Sequence, residues 1–207
     1  MLPFDVKLGT TPLELFTEVI PKAHRQLVPK HEVKDELVVL VRVEGDPDCD
    51  SLRASIRGNE IAVSASSGGA HVAIWLEKNS LNAFLEDWAT QRRYVPKFSP
   101  TGASILTDPR VLRRIVHVTG GIETSLPDFP GGPARLRASA FGGRLAKVDF
   151  EREPDVTVEA SNEVFDKMLT GSLMPEEALA ESLVTVKGKR MVALQFAFAL
   201  APFMAHA

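Results

Sequence analysis

Residues 154–203 switch between two apolar periodicities in a fixed order, and that order leaves few folds open. Asp155-Val156-Thr157-Val158-Glu159-Ala160 alternates polar and apolar, the period of a half-buried strand. Ser161-Asn162-Glu163 offers a helix start, after which Val164, Phe165, Met168 and Leu169 recur at helical spacing. Gly171 suits the end of that helix, because glycine enters the left-handed region without steric cost. Pro175 begins a second helix, with Glu176 and Glu177 at the positive end of its dipole and Ala178 and Leu179 facing inward. Leu183 to Val186 reads as a short strand. Residues 190–204 form a helix that is apolar nearly all round, with Gln195 its one polar residue after Arg190. The stretch is rich in apolar groups arranged to close over something, and poor in groups able to do covalent chemistry.

Asp155-Val156-Thr157-Val158, then Phe165, Met168-Leu169, Gly171, Leu173, Pro175, Ala178 and Gly188, form a set. That set resembles the C-terminal half of the sterol carrier protein 2 (SCP2) family. The chain departs from the family at Glu181-Ser182, where a glycine often precedes the last strand. The resemblance implies an α+β fold: a mostly antiparallel sheet of about five strands, helices on one face, and a tunnel for lipid, sterol or fatty acyl groups.

A second feature is an internal repeat. Leu52-Arg53-Ala54-Ser55 recurs as Leu136-Arg137-Ala138-Ser139, an offset of 139 − 55 = 84. Held without gaps from Leu52 to Leu85, the offset gives 8 identities in 34 residues and keeps the apolar phase through two strands and a helix. A period this long points to a duplicated unit, not a solenoid. We therefore expect a degenerate SCP2-like unit over 1–107 and a second over 108–207.

In the first unit, Leu13, Phe16, Ile20, Ala23 and Leu27 predict one helical face over 12–27. A strand is expected over 36–44, a hairpin over 51–57 and 60–66 through Gly58-Asn59, a strand over 71–76, and a helix over 80–88. The irregular segment 91–107 reads as a linker or lid. Arg110 to Val118 fits either a helix or a strand. Gly120 to Pro133, with three prolines and four glycines, reads as a long surface or capping loop.

The net charge of −3 gives no electrostatic case for nucleic acid. No apolar run reaches the ~20 residues that span a bilayer, although transient contact with a membrane surface stays open. The N-terminus lacks a charged region followed by an apolar core, so no signal peptide is expected. Cys49 is the only cysteine, which agrees with a reducing cytoplasm. Asp46, Asp48 and Asp50 have the spacing of a calcium loop, but Ser51 and Arg57 stand where that loop needs Gly and Glu. His24, His31, His71, His117 and His206 are scattered, so no metal is expected. Arg92, Arg93, Arg110, Arg113 and Arg114 form either a solvated face or a site for carboxylate, phosphate or anionic lipid. Trp75 either packs the two units together or lines a pocket of the first.

The leading expectation is non-catalytic binding or transfer of an apolar ligand: a lipid, sterol, fatty acid or fatty acyl-CoA. Its lining would be Phe165, Met168, Leu169, Leu173, Leu179, Met191, Leu194 and Phe198. No cofactor and no catalytic residue are expected. The alternative is a module of the same fold that uses this surface to bind a protein partner and has no open cavity.

Overall fold

The computed structural model describes residues 6–27, 36–90, 114–129, 131–169 and 172–204. The expected linker over 91–107 and the helix stop at Gly171 lie outside these residues. Thr11 opens the first helix with a capping box: its hydroxyl accepts from the Glu14 N–H, and the Glu14 carboxylate accepts from the Thr11 N–H. The helix runs as α1 (Pro12–Glu14), a π-helical stretch (Leu15–Val19) and α2 (Ile20–Leu27). The wider π turn rotates the buried face. Leu15, Ala23 and His24 are buried, whereas Leu13, Phe16 and Ile20 are only half-buried.

The strands β1 (Leu37–Glu44), β2 (Leu52–Arg57), β3 (Glu60–Ala65) and β4 (Val72–Glu77) follow, and α3 (Lys78–Thr90) comes next. The second half holds β5 (Thr119–Leu126), β6 (Ala134–Phe141), β7 (Val156–Ala160), α4 (Asn162–Leu169), α5 (Pro175–Ala180), β8 (Val184–Gly188) and α6 (Arg190–Met204). Of the ambiguous segment before β5, residues 114–116 are helical and 117 and 118 lead into the strand.

All eight strands join one mixed sheet in the order β3-β2-β1-β4-β6-β5-β7-β8. Three strands of each half share one pairing, while β3 adds to β2 and β8 adds to β7. β1 runs antiparallel to β2 and parallel to β4; β5 runs antiparallel to β6 and parallel to β7. The register agrees too. Val39 faces Val72 and Ile122 faces Val156, so 122 − 39 = 83 and 156 − 72 = 84, a difference of one residue between β1 and β2. The halves meet where β4 pairs antiparallel with β6.

One expectation fails. Gly120 to Leu126 is not loop; it is most of β5, and the connection to β6 spans only 127–133. Glycines fit here because the strand is crowded. A Cβ on Gly120 would lie 3.1 Å from Val192 of α6, and one on Gly121 would lie 3.0 Å from Ser139. Ser182, just before β8, takes the left-handed conformation, at φ 58.

The main core lies between the sheet and the helices. Val39, Val41 and Val43 of β1 pack there with Val72, Val156, Leu81 and Leu85, and with Val192 and Phe196 of α6. On the other face, Val148 and Phe150 cover Val38, Leu40 and Ala70. Further along that face Trp75 sits at the seam. The guanidinium carbon of Arg137 lies 4.8 Å from its ring centre and that of Arg135 lies 5.7 Å away. Glu77 of β4 also pairs with Arg135 of β6, and Glu123 with Arg137. Of its two expected roles, Trp75 takes the one that packs the halves together.

His24 is fully buried. Its Nε2–H donates to the Gly58 carbonyl at 3.0 Å, and among the described residues its Nδ1 has no hydrogen-bond partner. Burial holds its pKa below the ordinary 6.5, against the opposing Gly58 bond. As pH falls below 6.5, the unfolded chain takes up a proton that the folded chain refuses. Stability should therefore fall as pH drops from 7.5 towards 5, and His24→Gln should flatten that slope in pH-dependent thermal unfolding. An unchanged slope would assign the effect to other groups.

Candidate functional site

At one end of the second half, β5, β6, β7 and β8 present Leu126, Ala134, Ala160 and Val184 towards the helices, all buried. Phe129 from the β5–β6 connection and Ala178 of α5 complete a buried floor. Above it stand Val164, Phe165 and Met168 of α4, Leu173 from the following turn and Leu179 of α5, all half-buried. Three of the six floor residues are alanines. Helix α4 reaches this position because Ser161 caps it, its hydroxyl accepting from the Val164 N–H at 3.3 Å. Pro175 opens α5, and the Glu177 carboxylate accepts from the Met174 N–H at 3.0 Å.

The Asp-Val-Thr motif acts at the opposite end of the same strands. The Asp155 carboxylate accepts from the Gly121 N–H at 2.9 Å and from Lys189 Nζ at 2.7 Å. The Lys189 bond first, then the Gly121 bond, hold its pKa below the usual carboxylate range. Asp155 thus ties β5, the start of β7 and the start of α6 together.

The structure divides the expected lining into two sets. Phe165, Met168, Leu173 and Leu179 gather in one cluster. Met191 and Phe198 lie on the outer face of α6, 66% and 58% exposed. Leu194 is half-buried outside that cluster, and the side chain of Leu169 falls outside the described groups. The inward face of α6 is Val192, Ala193, Phe196 and Ala199. The sequence reading missed Phe129 and, from the first half, Ala83, Phe84 and Trp88. The repeat offset held a signal for one of them, since 168 − 84 = 84 pairs Phe84 with Met168.

Two clefts, of about 370 and 540 Å³, border the segment Lys7–Thr10 and share no residue with the cluster. Lys7, Glu14, Glu18 and Lys22 line the first, a poor match for an apolar molecule. Asp46 caps its own 3-10 turn and meets Lys78 at 3.3 Å, and Asp50 meets Arg42 at 3.0 Å, so these aspartates serve the fold. Burial first, then Asp46 and Asp48, push the fully buried Cys49 thiol up to about 11, far from a reactive thiolate. Among the described residues no group of three His, Cys, Asp or Glu side chains is placed to hold a metal. No described helix is long and apolar enough to cross a membrane.

Residues 104–201 match the model of the SCP-2 sterol transfer family. No curated protein matches the chain. Similar solved structures include Sterol Carrier Protein 2 Like 2 from Aedes aegypti, at 20% identity over 40% of this chain and 74% of that one, with a TM-score of 0.32. The sterol carrier protein domain 2 of Helicoverpa armigera is 20% identical over 50% of this chain and 80% of that one, with a TM-score of 0.36. Sterol Carrier Protein 2 from Yarrowia lipolytica is 16% identical over 47% of this chain and 82% of that one, with a TM-score of 0.35.

Proposed function

Because residues 104–201 match the model of the SCP-2 sterol transfer family, we propose that the second half binds and carries a lipid-like apolar molecule without transforming it. One observation carries the reading. Phe165, Met168, Leu173 and Leu179 stand half-buried over a floor that includes Ala134, Ala160 and Ala178. A ligand entering between them would gain affinity from apolar area at ~25 cal/mol per Å². Met168 adapts its shape to different ligands, because its unbranched side chain has three rotatable bonds.

Met168→Asn is expected to weaken uptake of a fluorescent fatty acid by about tenfold or more, since a ligand would then have to desolvate an amide. Met168 is half-buried in the free protein, so the amide keeps some access to water and the folding cost should stay near ~1 kcal/mol. Equal binding by wild type and a folded variant would remove Met168 from the lining. Native mass spectrometry followed by organic extraction would identify a co-purified molecule.

We read 1–107 and 108–207 as two units, the first a degenerate copy of the second. The matched strand pairing of the halves supports this division. A cytoplasmic setting remains our reading of the single, buried Cys49. The exposed Met191 and Phe198 favour a second reading, in which α6 docks on a protein partner. A stable dimer that takes up no fatty acid would select it.

A further inference from the structure

The first half does more than widen the sheet. Its helix α3 crosses the seam, and Phe84 enters the apolar cluster of the second half. The Phe84 ring centre lies 4.3 Å from that of Phe129, tilted by 36°, and 6.4 Å from that of Phe165, nearly edge-on at 64°. Phe129 is 4% exposed and belongs to the floor; Phe165 is half-buried and belongs to the rim. The Phe84 ring therefore stands at both levels of the cluster and covers Phe129.

We propose that Phe84 is a specificity-determining residue: the first half supplies one wall of the pocket, and this ring limits the length of apolar chain that the second half accepts. The inference rests on the binding reading above and adds a stop to it. The two sides of the cluster differ in stiffness. Met168 on α4 re-packs readily, whereas the Phe84 ring turns about only two side-chain torsions and is wedged against a second ring. An adaptable side chain and a rigid one in the same cluster together tolerate varied ligand shapes and still set a maximum chain length. A plain packing role for Phe84 makes a different forecast. In that case replacing it changes stability and alters binding of every chain length alike.

The test uses the full chain as wild type, Phe84→Leu and Phe84→Trp, each checked for folding by thermal unfolding. Saturated fatty acids from octanoate to stearate displace a fluorescent fatty acid. Each extra methylene that the pocket buries is worth about fourfold in affinity. Phe84→Leu should raise the stearate-to-octanoate affinity ratio by about tenfold, and Phe84→Trp should lower it by a similar factor. Opposite shifts from two variants cannot arise from a general loss of stability. One ratio shared by all three proteins overturns the proposal and leaves the binding reading standing. If no fatty acid binds to any of them, both fall.

Discussion

Gly188→Ala should cost the fold about 3 kcal/mol or more, because it adds a backbone collision to a strained φ. Gly188 ends β8 at φ 104. A Cβ there would lie 2.5 Å from the Asp155 carbonyl oxygen and 3.2 Å from the Val156 Cα. Both are backbone atoms, so no side chain can swing away. The same Asp155 oxygen accepts from the Lys189 N–H at 2.9 Å, and the Asp155 carboxylate is held by Gly121 and Lys189. Relief would require β7 and β8 to part at the point where α6 starts. Denaturant unfolding measures the cost. A loss below ~1 kcal/mol would show that the strand ends separate freely.

Trp75→Ala should cost about 3–5 kcal/mol, the range for removing a large buried aromatic side chain. Trp75 is 7% exposed and fills the open-face side of the seam beneath Arg135 and Arg137. Without the ring, both guanidinium groups lose their apolar support, and the β4–β6 junction keeps its backbone pairing and its ion pairs. Trp75→Phe should recover most of the loss. It also leaves Trp88 as the one remaining tryptophan to report unfolding by fluorescence. If Trp75→Ala unfolds at nearly the wild-type temperature, backbone pairing and ion pairs hold the halves together without the ring.

Local pattern alone located most elements. β7, α4, α5 and α6 lie where period and helix-start residues place them, and the first hairpin turns at Gly58-Asn59. The misses share a cause, which is a neighbour that no local window contains. Gly120 and Gly121 look like loop until Val192 and Ser139 press against them. The π stretch at Leu15–Val19 has no mark in residue type, and it rotates the apolar stripe. Because α6 is apolar on nearly every side, period cannot say which side is buried. Close approach to Gly120 selects Val192, which turns Met191 and Phe198 outward.

The candidate site divides in the same way. Phe165, Met168, Leu173 and Leu179 were legible because two short helices with clear starts, and the turn between them, bring them into one cluster. Phe129 and Phe84 were not, since one lies in a turn and the other arrives from a different half of the chain. Alternation along strands and spacing along helices are local, and they settled most of the element order, while the α+β class was what the family resemblance implied. Which faces meet depends on strand edges and on close contacts between residues far apart in the chain. Only the tertiary structure therefore decided that β4 would pair with β6, that the halves would share one sheet, and that Phe84 would stand in the second half's apolar cluster.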